Sequence, residues 1–254
     1  MLDIAILIPA RLDSKRLKNK VILKINGLEM IEHVRRRALL NSYGVPVYVV
    51  SGDKKILNLV QNYGGLTIKT RKNHPNGFSR VMEAEKKLPF QRYILLQGDE
   101  ILVDPKDLDL FIESIKTNSN AVYNAVSNIE NYSEILNPNV VKCIISNRNR
   151  ILLMFRKTPS VSSKNQQIKQ LHKVCGLMGF TKKTIEEIGA YKVSLNSTLE
   201  SIEQLTFLDI DIELKSIKIT KNYPSINEKK DIKKCQKFIK HNVRQKFIWN
   251  KIAG

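Results

Sequence analysis

The feature that most limits what this chain can fold into is a repeated alternation across its first half. Short apolar runs of strand length are separated by longer segments with apolar residues at helical spacing. Residues 3–9 (DIAILIP), 45–51 (VPVYVVS), 66–70 (LTIKT), 92–97 (RYILLQ) and 120–127 (NAVYNAVS) read as strands. Residues 28–41, 53–65, 77–88 and 104–117 read as the helices between them, the last with Pro105 in its first turn. Alternation of this kind calls for an α/β fold with a mostly parallel sheet and helices on both faces. Ligands of such folds sit beyond the carboxyl ends of the strands. Three loops leave those ends, at 10–20, 71–77 and 98–101, and they carry the chemically interesting residues.

The second half is less regular. Residues 140–146 and 150–156 read as a hairpin around Asn147-Arg148-Asn149, 157–170 as a polar loop, and 173–181 as a strand. Helices are expected near 182–191 and 198–212, a strand at 215–221, and one C-terminal helix over 228–247. No internal repeat or linker is visible. The expected organisation is a single domain over 1–254 with an inserted acceptor or dimerisation lobe at about 130–180.

Composition narrows the class. With 42% hydrophobic residues in 254, the chain has material for a core and is not a disordered or collagen-like sequence. Three widely spaced cysteines (Cys143, Cys175, Cys235) without C-x-x-C argue against a zinc ribbon or disulfide framework and for a reducing compartment. No apolar run approaches the ~20 residues of a bilayer span. The opening MLDIAILIPAR lacks a basic n-region and reads as a buried strand, not a signal peptide. A cytoplasmic location is therefore expected. Lys plus Arg is 43 against 24 acids, a net charge of +19, and the segment from Glu228 onward is lysine-rich. Such charge favours anionic partners or reflects a solvated surface. No nucleic-acid-binding motif accompanies it, so no nucleic-acid partner is expected. His33 within a helix and His241 in the basic tail read as surface residues; Trp249 reads as an anchoring hydrophobe.

Arg11, Arg16 and Lys20 recur at intervals of five and four in the loop after the first strand. Cationic side chains there can neutralise a polyphosphate, though charge alone fits a solvated turn equally well. No Walker loop is present. Asp99, just beyond the fourth strand and facing that loop, fits either a Mg²⁺ ligand or a turn residue.

The segment Pro9-Ala10-Arg11-x-x-Ser14-x-Arg16-Leu17-x-x-Lys20 resembles the opening motif P-A-R-x-x-S-[ST]-R-L-P-G-K of sugar-acid cytidylyltransferases, especially CMP-Kdo synthetases (3-deoxy-manno-octulosonate cytidylyltransferases). The likeness runs on through Ile25–Ile31, Arg71-x-x-His74-Pro75-Asn76-Gly77-Phe78-Ser79-Arg80, Gln97-Gly98-Asp99-Glu100 and Asn137-Pro138-Asn139-Val140-Val141-Lys142. It implies a Rossmann-like nucleotide-diphospho-sugar transferase fold and a CTP-dependent nucleotidyltransferase that passes CMP to a sugar acid for surface polysaccharide. Arg11, Arg16, Lys20 and Asp99 would be the catalytic set. Ala10, Ser14, His74, Asn76, Gly77, Arg80 and Gln97 would contact the nucleotide. Arg156, Lys173 and Glu203 would hold the acceptor. Asp99 and Asn227 would hold Mg²⁺. A homodimer is also implied.

This sequence departs from the pattern in places. Lys18-Asn19 replaces Pro-Gly, and Asn227 stands where the family has its second metal-binding aspartate. In the acceptor strand K-H-[IL]-G-I-Y-G-Y, the histidine is Val174 and the first tyrosine Met178; a later Glu-Gln pair is Thr206-Phe207. Loss of those polar groups favours an acceptor other than Kdo, such as a nonulosonic acid or a phosphonate. Asn227 leaves open a non-catalytic nucleotide- or polyanion-binding homologue.

Overall fold

The computed structural model describes residues 3–14, 17–117, 120–158, 163–219 and 223–253, so Arg16 lies outside the described residues. The elements in chain order are β1 (Ile4–Ala10), a 3₁₀ turn (Lys20–Ile22), β2 (Lys24–Ile25), β3 (Leu28–Glu29), α1 (Met30–Leu39), β4 (Val47–Ser51), α2 (Lys54–Asn62), β5 (Leu66–Lys69), α3 (Gly77–Glu85), β6 (Arg92–Leu96) and α4 (Pro105–Ile115). There follow β7 (Val122–Asn128), α5 (Tyr132–Leu136), β8 (Lys142–Ile145), β9 (Ile151–Phe155), α6 (Lys164–Gln170), β10 (Leu171–Thr181), α7 (Lys182–Gly189), α8 (Leu195–Glu200), α9 (Leu205–Asp209) and β11 (Leu214–Lys218). The C-terminal segment forms α10 (Lys229–His241) and α11 (Val243–Ile252). The chain divides into two compact units, one of residues 1–113 and 223–254, the other of 114–222.

In the first unit four parallel strands run in the order β6-β1-β4-β5. Ile4–Ile8, Val49, Val50 and Tyr93–Leu96 are buried without alternation, as strands covered on both faces must be. The chain steps from β1 through α1 to β4 and through α2 to β5, then returns through α3 to β6 on the far side of β1. Right-handed crossovers place α3 on the face opposite α1 and α2. The strand order therefore reverses between β1 and β6, and the carboxyl ends of those two strands flank the expected ligand crevice. Asn26 (φ 52°) and Gly27 (φ 91°) form the two-residue turn joining β2 to β3.

The C-terminal segment closes this unit, and in two helices rather than one. Asn242 caps the second by accepting from Gln245 N at 2.9 Å, which ends α10 one residue before the β-branched Val243. The fully buried Arg37 of α1 donates to Gln245 Oε1 (2.7 Å), and Gln245 Nε2 donates to the Leu102 carbonyl (2.9 Å). Burial pulls the Arg37 guanidinium down to about 10. His33 is buried, not exposed as the sequence suggested. Its Nε2 meets the Ile25 carbonyl at 2.8 Å and its ring stacks on Trp249 with centroids 4.9 Å apart. Burial drives its pKa to about 4, so it packs as a neutral ring.

The second unit has a mixed sheet. β7 pairs parallel with β11 and antiparallel with β10, whose first residues pair with β8, which pairs in turn with β9. The polar stretch expected as a loop contains α6, started by a reciprocal cap between Ser163 and Gln166. The helix expected near 198–212 is broken into α8 and α9 at Ser201, whose left-handed backbone (φ 52°) ends α8.

The anchor of the C-terminal segment can be weighed. Arg244 grips Asp104 through two bonds of 2.6 and 2.8 Å, and the carboxylate is 7% exposed. Burial pushes Asp104 up, but hydrogen bonds from Arg244 and from Lys106 N outweigh it and hold the carboxyl below its ordinary range. Its stabilisation is therefore present at neutral pH and is lost as pH falls below about 4. Arg244→Met is expected to lower urea stability at pH 7 by about 1–3 kcal/mol, the partial exposure of the arginine reducing the cost of an unpaired buried charge. The difference from the parent chain should shrink at pH 3, which parallel urea titrations at the two pH values would check.

Candidate active site

The loop after β1 is closed on itself. Ser14 N and Asn19 N both donate to the Leu12 carbonyl, at 2.9 and 3.0 Å, and Leu12 N donates to Asp53 Oδ2 at 3.0 Å. Asn19 takes a left-handed backbone (φ 56°) that asparagine tolerates better than most residues. The Lys18-Asn19 replacement thus keeps a residue suited to a tight turn. That turn delivers Lys20 inward. Its Nζ donates to Asp99 Oδ2 at 2.7 Å and to the Ile226 carbonyl at 3.0 Å, and the side chain is 10% exposed. Ile226 N in turn approaches the Asp99 carbonyl at 3.4 Å. Segments around residues 20, 99 and 226 therefore converge at the carboxyl ends of β1 and β6. Arg11 is exposed beside them, its Nη1 reaching the His74 carbonyl at 3.5 Å.

Two glycines permit this convergence. A Cβ on Gly77 would stand 3.2 Å from the Pro9 ring and near the Gln97 amide; one on Gly98 would stand 3.3 Å from the Pro9 carbonyl. A side chain at either position would crowd Pro9 and require its neighbours to shift by a few tenths of an ångström. Gly77 also opens α3. Asn76 caps that helix by accepting from Ser79 N at 2.8 Å, and Ser79 Oγ reciprocates toward Asn76 N. The positive end of the α3 dipole lies beside the basic loop and favours negative charge there.

Several expected nucleotide contacts prove to build the loop itself. His74 is buried, its Nε2 on Glu83 Oε2 at 2.8 Å and its Nδ1 3.3 Å from Ser79 Oγ. Burial outweighs Glu83 and lowers its pKa. Arg80 is also buried and donates to Thr70 Oγ1 (2.6 Å) and to the Arg71 and Lys72 carbonyls (both 3.0 Å). Both side chains shape the 70–77 loop from behind. Glu83, which also accepts from Arg71 N at 2.9 Å, was not singled out from the sequence. Its nine-residue separation from His74 carries no motif signal. Ala10 is the buried last residue of β1, Ser14 lies on the loop that follows, and Gln97 is half-buried just past β6.

Asn227 follows directly on Ile226. Its N–H donates to Asp231 Oδ2 at 2.9 Å and its Nδ2 to Ser225 Oγ at 3.2 Å. Asp99 and Asn227 are thus the hard oxygen donors near the Lys20 turn, one charged and one neutral. Magnesium is commonly held by one or two carboxylates together with substrate phosphates, so this donor set fits a metal shared with a triphosphate.

The residues expected to hold an acceptor belong to the second unit. Arg156 is half-buried and donates to the carbonyls of Glu200 (2.7 Å), Ser201 (2.8 Å) and Pro138 (2.9 Å). It ties the β8–β9 hairpin to the end of α8. Lys142, the last residue of the N-P-N-x-V-K segment, is fully buried. Its Nζ donates to the carbonyls of Asn137 (3.1 Å), Val140 (2.9 Å) and Arg156. Burial and the neighbouring Arg156 lower its pKa to about 8. Lys173 lies 3.9 Å from Glu134 Oε1, and Glu203 is half-buried. The replaced polar positions resolve unequally. Met178 and Phe207 are interior, with Phe207 edge-on to Phe180 at 6.0 Å, and Thr206 is buried too; Val174 is half-buried.

A parallel sheet whose switch point brings together a basic loop, a helix N-terminus and a carboxylate has the layout of a nucleotide-binding α/β fold, and the fold is that of the nucleotide-diphospho-sugar transferases. The chain belongs to the cytidylyltransferase family, whose model matches residues 5–229. It is similar to the 3-deoxy-manno-octulosonate cytidylyltransferase of Fusobacterium nucleatum (30% identical, 93% of this chain and 96% of the relative). It is also similar to the 8-amino-3,8-dideoxy-manno-octulosonate cytidylyltransferase of Shewanella pealeana (28%, covering 92% and 98%). Among solved structures it resembles CMP:2-keto-3-deoxy-manno-octonic acid synthetase complexed with CTP, at 27% identity and a TM-score of 0.86 over 94% of this chain and 99% of that one.

The convergence makes a direct prediction. Lys20→Met removes a cation from the loop and leaves Asp99 without its ion-pair partner. With the thermal midpoint checked on the same sample, CTP-dependent kcat/KM should fall by about 10²–10³-fold. Unaltered kinetics would show that Lys20 serves only to fasten the loop.

Proposed function

We propose that this enzyme transfers CMP from CTP to a Kdo-like 2-keto-3-deoxy sugar acid, releasing pyrophosphate, as a step toward surface polysaccharide. The observation that carries the reading is the meeting of Lys20 with Asp99 at the switch point between β1 and β6. The acceptor class rests on the names of relatives that match this chain almost end to end.

Arg11, Arg16 and Lys20 bind the triphosphate, with the N-terminus of α3 adding N–H donors. The acceptor hydroxyl attacks the α-phosphorus in line, the bond to the bridging oxygen breaks, and pyrophosphate leaves carrying the electron pair. Cations on the β1 loop stabilise the charge that develops on the leaving group, so no covalent enzyme intermediate is needed. Asp99 and Asn227 would hold Mg²⁺. When bound, the metal neutralises phosphate charge and acidifies the attacking hydroxyl. Ala10, Ser14, Asn76, Gly77 and Gln97 line the approach to the nucleotide, while His74 and Arg80 fix the loop. Arg156, Lys173 and Glu203 serve the acceptor, Arg156 chiefly by holding its hairpin in place.

A homodimer through the second unit and a cytoplasmic location complete the reading. Leu136, Leu152 and Leu153 are exposed there, the last two on strand β9, an edge apolar enough to call for cover. No helix among the described residues is long and apolar enough to cross a membrane.

The test is pyrophosphate release from each of the four nucleoside triphosphates against Kdo, its 8-amino analogue and nonulosonic acids. CTP-specific release with a Kdo-type acid is the expected result. Release only with a nonulosonic acid would replace the acceptor, and CTP binding without release would replace catalysis by binding. The neutral Asn227 supplies a second prediction. Asn227→Asp restores a carboxylate beside Asp99, so Mn²⁺ binding followed by electron paramagnetic resonance should tighten by about tenfold or more. An unchanged titration would remove Asn227 from the metal's surroundings.

A further inference from the structure

The two C-terminal helices carry a surface that nucleotidyl transfer does not use. A helix turns by about 100° per residue, so Lys229, Lys230, Lys233, Lys234, Lys237 and Lys240 of α10 fall within an arc of about 140°. All six are exposed, while Cys235 and Ile239 on the opposite side are buried. Asp231 lies outside the arc, with its carboxylate accepting from the Asn227 and Glu228 amides. Glu228, at the helix cap, pairs with Lys230 at 2.8 Å. The lysine excess is therefore not scattered here but sorted onto one face.

The next helix adds exposed apolar groups. α11 is held by its other side: Gln245, Ile248 and Ile252 are buried, Trp249 stacks on His33, and Arg36 Nη1 donates to the Ile252 carbonyl at 2.6 Å. That docking turns Val243 and Phe247 outward, 86% and 51% exposed. Lys246 is exposed beside them, and Lys251 Nζ lies 4.8 Å from the centre of the Phe247 ring.

We propose that the α10–α11 face is a peripheral docking surface for an anionic lipid bilayer. A lysine array attracts the diffuse charge of anionic headgroups, and exposed apolar side chains framed by lysines enter the headgroup boundary. The choice of cation favours lipid over a phosphorylated protein or a specific nucleic-acid site. α10 carries no arginine, the residue that reads single phosphates through paired bonds. Nucleic acid would use the charge but gains little from Val243. Docking there would place the transferase at the membrane surface without occupying the loop after β1.

The experiment is co-sedimentation of the full chain with vesicles of mixed phosphatidylglycerol and phosphatidylcholine, against phosphatidylcholine alone. Binding is expected only to the anionic vesicles, with release in 1 M salt, where charges are screened beyond about 3 Å. Lys233→Glu/Lys237→Glu/Lys240→Glu should weaken it by about a hundredfold, and Phe247→Ser by about threefold to tenfold with the salt dependence unchanged. CTP-dependent pyrophosphate release and the thermal midpoint should stay at parental values. If the glutamate variant misfolds, the triple glutamine variant gives the same reading with a smaller loss. No binding to anionic vesicles, equal binding to neutral ones, or full binding by a correctly folded triple variant would overturn the proposal. Tighter binding to a DNA or RNA oligonucleotide than to vesicles at the same salt would overturn it in favour of nucleic acid.

Discussion

The ammonium of Lys20, held between the Asp99 carboxylate and the Ile226 carbonyl, is the contact on which the site depends. It joins three segments separated by 79 and 206 residues along the chain from Lys20. A charged group with 10% of its side chain exposed is costly to bury unless its donors are satisfied. Here a carboxylate and a carbonyl satisfy two of them. The arrangement exacts conditions on its surroundings. The β1 loop must turn at Asn19, Gly98 must lack a side chain so that β6 ends close to Pro9, and the C-terminal segment must return to the strand ends. Each condition is met by a separate device.

The return of the C-terminal segment depends on α1, a helix polar in sequence yet buried. Glu32 is fully buried and accepts from Arg35 through two bonds of 2.7 Å and from Arg36 at 3.2 Å. Arg37 reaches Gln245, Arg36 reaches the Ile252 carbonyl, and His33 takes the face of Trp249. The polar residues of α1 are thus receptors for α11. Ordering Ile226 and Asn227 near Asp99 follows from fastening α10 and α11 behind them. Helix packing elsewhere in the unit thereby sets where the segment of Ile226 and Asn227 stands.

This explains what could be read from the chain alone. Strands β1, β4 and β6 of the first unit announce themselves because their side chains are buried on both faces, and the loops after β1 and β6 then follow from topology. Asn26-Gly27 marks its hairpin because few other pairs tolerate two left-handed residues in succession. His33 could not be placed this way, because its partner Trp249 is 216 residues distant and a histidine on a charged helix looks solvated. The single C-terminal helix failed on local competition. An asparagine inside a helical pattern scores as weakly helical, whereas Asn242 gains more by capping the next helix than by extending the last. His74 and Arg80 sit in the correct loop, but a motif gives position and not direction. Their side chains turn to Glu83 and to backbone carbonyls.

The same distinction bears on the acceptor. Replacement of polar residues by Met178 and Phe207 suggested from sequence a pocket that had become apolar. Both side chains are instead part of the interior of the second unit, where an apolar residue adds packing and no binding surface. The change therefore does not by itself argue against a hydroxylated acceptor. What remains half-buried on β10 is the run of residues 172–176 and Thr181, where the sequence can change without altering the core. Arg156 has its guanidinium donating to three carbonyls, and Lys142 gathers the carbonyls beneath it. Both cations tie loops together through backbone oxygens, in a chain whose cysteines are all free. The arginine that the family motif brings to notice first is thus, in this structure, a tie between its hairpin and the end of α8.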